Sequence, residues 1–120
     1  MARNESINQN MLPILMQELI KLIGYEDMYI LISNYGGQDV YIPKNPKRSK
    51  LNNLLPLRSL DILSEEYGGM YLTLPTTSRI ANQIRDKEIL KHLESGKSRV
   101  EVAKMFGLGV RQVANIKNRF

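Results

Sequence analysis

The chain has 120 residues, 42% of them hydrophobic, which suits one domain or a pair of small ones and excludes global disorder. It lacks cysteine, so disulfides, iron–sulfur clusters and thiolate zinc sites are excluded and a reducing, cytoplasmic setting is expected; the polar first ten residues do not suit a secretory signal, and apolar stretches such as residues 11–16 are too short for a bilayer, so no membrane is expected. The net charge of +5 is unevenly spread: residues 1–75 hold seven Lys/Arg against eight Asp/Glu, residues 76–120 ten against four, so the basic second region suits a polyanion, with a merely solvated surface as the alternative.

In chain order, residues 12–43 and 55–75 echo one another. Each opens with Leu-Pro, continues with helical apolar spacing, reaches Tyr-Gly-Gly, and ends in a short alternating stretch before Pro. Two related helix–strand units are expected. In the first, Leu15, Leu19, Leu22 and Ile23 share one helical face, and Gly24 ends that helix. A second short helix covers about residues 26–34 and stops at Gly36-Gly37. Residues 38–42 then alternate, with Val40 and Ile42 on one face and Asp39 and Tyr41 on the other.

Residues 43–53 form a basic, proline-broken loop carrying Lys44, Lys47, Arg48 and Lys50; it reads as a solvated loop, with phosphate contact as the alternative. In the second unit, Leu57, Leu60, Ile62, Leu63 and Tyr67 build a helix that Gly68-Gly69 ends, and residues 70–74 form a strand. Both Gly-Gly pairs read as caps between helix and strand; close approach to a partner or to DNA is the other reading. The two strands are expected to pair within one chain, which reduces exposed edges.

Beyond Pro75 the pattern becomes helical throughout. Residues 78–94 place Ile80, Ile84, Ile89, Leu90 and Leu93 inward, and Ser95-Gly96 ends that helix. Ser98 and Glu101 have the spacing of a capping box, opening a helix with Val102 and Phe106 on one face. Gly107 supplies the left-handed turn, Ala103 the small residue where two helices cross, and Leu108 the plug at the corner. A last helix, residues 110–119, turns Val110, Val113, Ile116 and Phe120 inward. The fold class expected is mainly α with short β-strands (α+β): a dimerisation region of helix–strand repeats in residues 1–75, followed by a three-helix helix-turn-helix DNA-binding domain in residues 76–120.

That last helix leaves Arg111, Gln112, Asn115 and Asn118 outward, the side chains that reach base edges: Arg bonds guanine twice, and Asn or Gln bonds adenine twice. Ser98, Arg99, Lys104, Lys117 and Arg119 are expected on phosphates. Double-stranded DNA is thus the expected partner. An ordinary three-helix bundle with a polar surface is the plainer alternative.

The stretch from Tyr67 to Arg119 resembles the Mor (middle operon regulator) transcription activators of phages and prophages. The resemblance rests on Tyr67-Gly68-Gly69, Leu74-Pro75, Ile84-Arg85-Asp86, Ile89, Gly96, Val102-Ala103, Phe106-Gly107-Leu108, Arg111-Gln112-Val113 and Ile116. The upstream copy, from Tyr35-Gly36-Gly37 to Pro43, matches the family's strand motif more closely still. The resemblance implies a homodimer with two helix-turn-helix units on adjacent half-sites, recruitment of host RNA polymerase, and a glycine-marked strand that helps meet DNA. Two features depart from it. Gly109 stands where the family often has Ser or Thr, which implies a weaker helix cap, and the chain carries two strand units where simple members carry one.

Catalysis is not expected. His92 is the only histidine, no phosphate-loop motif occurs, and Glu65, Glu66, Asp86 and Glu88 sit at spacings that suit surface charges. No metal and no cofactor are expected. The rival reading is a protein-interaction module whose basic helices bind an acidic protein. RNA is a weaker third option, because none of the eight aromatic residues clusters on the basic segment.

Overall fold

The computed structural model describes residues 7–119. They form an α-rich α+β fold with six α-helices and one antiparallel pair of strands. Two compact units part between Ile80 and Ala81, so Ile80 belongs to the core of the first unit.

The first unit opens with a short 3-10 turn, Gln9–Met11, followed by α1 (Ile14–Ile23) and α2 (Tyr25–Tyr35). Gly24, at φ +88°, separates the two helices. The buried stripe of α1 is Met16, Leu19 and Ile23, while Leu15 and Leu22 are only half-buried. The expected stripe was therefore turned slightly: residues 16, 19 and 23 satisfy the same helical spacing, and the unbranched Met16 fills the place assigned to Leu15.

Strand β1 (Asp39–Ile42) follows, and then two 3-10 turns, Pro46–Arg48 and Lys50–Asn53. Asn45 and Ser49 cap these turns with their side chains, while Ser49 and Leu51 are buried, so the expected open loop is instead a folded segment. Helix α3 (Leu57–Tyr67) and strand β2 (Met70–Thr73) complete the set. Leu57 is 57% exposed at the first turn of α3, and the buried positions are Ser59, Leu60 and Leu63. At 3.6 residues per turn Leu57 points away from the face that Ser59, Leu60 and Leu63 bury.

The strands pair within the chain, with Val40 opposite Leu72 and Tyr41 opposite Tyr71. Leu72, Ile42 and Leu74 point into a core that includes Met16, Leu19, Met28, Leu31, Leu63 and Ile80. Each such side chain contributes roughly 1.5–3 kcal/mol by leaving water.

The internal echo has a different period from the one its Leu-Pro openings suggest. Leu12-Pro13 opens α1, whereas Leu55-Pro56 opens α3, the counterpart of α2. Tyr25–Tyr35 maps onto Leu57–Tyr67 with the same separation, 32 residues, as that between Asp27 and Ser59. Those two equivalent residues hydrogen-bond to each other, the Ser59 hydroxyl donating to the Asp27 carboxylate. Val40 and Leu72, also equivalent, pair with each other. Two self-paired equivalences define an approximate twofold axis through the unit. The chain folds two copies of a helix–strand motif face to face, and α1 is an addition to the first copy.

Both Gly-Gly turns lie at matching places about this axis. The second glycine of each is left-handed, Gly37 at φ +80° and Gly69 at φ +85°. The Gly37 amide donates to the Leu74 carbonyl at 2.8 Å, and the Gly69 amide to the Ile42 carbonyl at 2.7 Å. The first glycine admits close packing. A Cβ on Gly36 would lie 2.6 Å from the Ile32 carbonyl oxygen and 2.9 Å from that of Pro75; one on Gly68 would lie 3.1 Å from Lys44 Cα. What approaches these glycines is the chain's own backbone.

Candidate nucleic-acid interface

The second unit is built from the larger part of α4 (Ser78–Glu94), with α5 (Arg99–Phe106) and α6 (Val110–Arg119). Its core is Ile89, Val102, Ala103, Val113 and Ile116, flanked by Leu93, Phe106 and Leu108. A core this small needs well-defined helix ends. Ser98 caps α5, its Oγ accepting from the Glu101 amide at 3.1 Å, and the Glu101 carboxylate accepts from the Ser98 hydroxyl at 3.4 Å. Gly107 adopts φ 65°, ψ 33°, the left-handed conformation that ends α5. The Leu108 amide then donates back to the Ala103 carbonyl at 2.9 Å, turning the chain towards α6 within three residues. Ala103 is buried, as the small residue of a helix-turn-helix corner should be.

Helix α6 is amphipathic in a definite sense. Val113 and Ile116 are buried; Arg111, Gln112, Asn115, Lys117, Asn118 and Arg119 are exposed. Phe120 lies outside the described residues. Val110, expected inward, is 45% exposed. It occupies the first turn of the helix, and the core closes on Val113 and Ile116 without it.

Gly109 has no side chain to cap the helix, and a reciprocal bond compensates for this. Its amide donates to Gln112 Oε1 at 3.2 Å. That is the returning half of a capping box, with Gln at the third helical position. One end of the Gln112 side chain is thus held by the helix start, and its amide NH2 group remains for other bonds. The signal was present in the sequence, since Gln112 stands three residues after Gly109.

Asp86 was misread from its spacing as a surface charge. Its side chain is only 8% exposed and lies between two guanidiniums. Arg85 Nη2 meets Oδ1 at 2.9 Å, and Arg119 Nη2 meets Oδ2 at 3.5 Å. A carboxylate removed from water requires such partners. Arg119, expected on phosphate, therefore has an internal acid and ties the end of α6 to α4. No spacing rule could pair Asp86 with a residue so distant in sequence. His92 is half-buried, with its ring against Phe106 and its Nδ1 at 3.1 Å from Lys97 Nζ.

The remaining cations stand apart. Among the described residues, Arg99, Lys104, Arg111 and Lys117 meet no carboxylate at ion-pair distance. Ser98, at the start of α5, and these four side chains are exposed on the second unit, together with Asn115 and Asn118. In the first unit, Lys44, Arg48 and Lys50 line an open groove of about 680 Å³ with Tyr35, Tyr41 and Tyr71. The rings of Tyr41 and Tyr71 are 5.1 Å apart on the outer face of the strand pair.

Among the described residues, no group of three or more His, Asp or Glu side chains is placed to hold a metal ion. No helix among them is long and apolar enough to cross a membrane. The chain matches no protein-family model, no curated protein and no solved structure.

Proposed function

We propose that this chain is a sequence-specific duplex-DNA-binding transcription regulator of the Mor-like kind, acting as a homodimer in the cytoplasm of a bacterial host. The observation that carries this reading is the exposed face of α6. Arg111, Asn115 and Asn118 project from a helix anchored by Val113 and Ile116, with a left-handed Gly107 turn before it. A helix fixed on one side and rich in Arg and Asn on the other suits the major groove, which offers guanine and adenine acceptor and donor pairs. Arg111, Asn115 and the free end of Gln112 choose bases. Arg99, Lys104, Lys117 and the start of α5 at Ser98 hold phosphates and fix register. Arg119 contributes less to phosphate binding than its charge suggests, because Asp86 already engages it. Two copies would place two such helices on paired half-sites, and recruitment of RNA polymerase would follow from the Mor-like reading. Neither a cofactor nor catalysis enters this mechanism.

Selection of random duplexes by the full chain, followed by footprinting and a salt titration, tests the proposal. An enriched sequence is expected, with affinity falling steeply as salt rises through counterion release. Arg111→Ala should weaken binding to the selected duplex by about 1–3 kcal/mol and change binding to random duplex far less. No enriched sequence, or equal loss on both duplexes, would overturn the base-reading role. Binding only to acidic proteins would favour the interaction-module reading.

A further inference from the structure

We infer that Val110 reads the C5-methyl group of a thymine in the bound duplex, adding an apolar element to the polar face of α6; this inference rests on the duplex-DNA reading above.

The starting point is Val110 itself, which the amphipathic pattern assigned to the core and the structure leaves 45% exposed. One exposed apolar residue is ordinary on any protein surface. Its position gives it meaning. Val110 is the first residue of α6, immediately before Arg111, and the first turns of a recognition helix are the part that meets base edges. The core of the second unit closes on Ile89, Val102, Ala103, Val113 and Ile116 without it. A β-branched residue also brings no gain in helix propensity at this place.

The helical repeat fixes which side chains accompany it. At 3.6 residues per turn, Val113 and Ile116 define the inward direction, and Arg111 and Asn118 lie opposite. Val110 and Ala114 are one turn apart, on the flank of that outward face beside Arg111 and Asn118. Ala114 is half-buried, and its methyl adds a second, smaller apolar group to that flank. The face is therefore divided, with guanidinium and amide groups along its middle, and Val110 and Ala114 along one flank that Lys117 continues one turn further on.

Only one methyl group projects from base edges into the major groove, that of thymine. Guanine, adenine and cytosine offer polar atoms there. A valine held against the polar atoms of these bases would remove water from a donor or acceptor and return no bond, and the C5–H of cytosine offers it less carbon than a methyl does. Against thymine it covers carbon with carbon. The other exposed apolar residues of this unit, Val100 and Met105, belong to α5 and do not share the α6 face.

Replacement of thymine by deoxyuridine deletes the methyl and nothing else, which gives a direct test. The duplex selected by the full chain is resynthesised with each thymine changed singly to deoxyuridine, and affinity is measured for the wild type, Val110→Ala and Val110→Thr. For the wild type, one thymine per half-site should respond, with a loss of about three- to fivefold, the size expected for one buried methyl-sized group. Val110→Ala should bind thymine and deoxyuridine equally, at the level the wild type shows on deoxyuridine. Val110→Thr keeps a branched methyl and should retain part of the response, which controls for any change in folding. Thermal unfolding of each variant is followed in parallel. The inference is overturned if no thymine responds in the wild type, or if Val110→Ala keeps the full response. If the chain selects no duplex at all, the DNA-binding proposal itself fails, an outcome distinct from either of those.

Discussion

The two units use polar side chains in opposite ways. In the first, polar groups are tied to one another across elements: Ser59 to Asp27, Thr73 to Asp39 at 2.6 Å, and Tyr67 to Glu18 at 3.0 Å. In the second, Asp86 is the one buried polar side chain among the described residues, held by Arg85 and Arg119, while Arg111, Asn115 and Asn118 face water. Only the Ser59 pair draws on burial, because a buried donor or acceptor is costly unless matched, whereas the Thr73 and Tyr67 bonds tie elements together at the surface. Polar groups held on a rigid helix with no internal partner are available to something outside. Under the proposed function, this contrast corresponds to a scaffold in the first unit and a reading surface in the second.

The largest test of the contrast is removal of core volume. Leu63→Ala in the first unit should lower stability by about 2–5 kcal/mol, measured by urea unfolding. If the two units unfold separately, only one of two transitions should move. A single shared transition would show that the division near Ile80 is not an energetic one.

Next in size is Gly36→Ala. A Cβ there would meet the backbone oxygens of Ile32 and Pro75, so a destabilisation of about 1–3 kcal/mol is expected in the same measurement. An unchanged midpoint would mean that the turn has room to shift.

Tyr67 supplies a pH-dependent effect. Burial, together with its hydrogen bond to the Glu18 carboxylate and the charges of Glu18 and Glu66, pushes its phenol up to about 12 from the ordinary 10.0. The folded state therefore keeps the proton to higher pH than the unfolded chain does. Its contribution to stability is whole below pH 10 and is lost as pH rises towards 12. Tyr67→Phe should flatten this slope relative to the wild type in unfolding measured from pH 9 to about 12. Parallel slopes would remove the Tyr67–Glu18 bond from the account.

The smallest effect belongs to the second unit. At Gly109 an added Cβ would meet nothing within 4 Å. Gly109→Ser should raise stability by a few tenths of a kcal/mol through a better N-cap. A loss would show that the Gln112 arrangement depends on glycine.

Much of this was legible in the sequence where the physics is local. Ser98 and Glu101 announced a helix start, Gly107 a left-handed stop, and the alternation of residues 38–42 a strand, because each signal lies within a few residues. The duplicated helix–strand unit makes pairing of the two strands within one chain an expectation, and the register places Val40 against Leu72. What escaped depends on distant residues. Asp86 is buried because Arg119 returns to it, and Ser59 is buried because Asp27 faces it. Leu57 and Val110 are expected inward from their spacing, yet at 3.6 residues per turn each points off the stripe that is buried, Ser59, Leu60 and Leu63 in α3 and Val113 and Ile116 in α6. The repeat was recognised with the wrong alignment, because Leu-Pro opens α1 in one copy and α3 in the other.

One on-axis contact carries a genetic consequence. In a true homodimer of this helix–strand motif, the residue at that point would face its own duplicate, acid against acid or hydroxyl against hydroxyl. Here aspartate faces serine, an unlike pair that symmetric partners encoded by one short gene could not form. Tandem encoding in one polypeptide lets each half accept substitutions on its own. One half can then continue into α4 while the other continues into a lysine-rich turn.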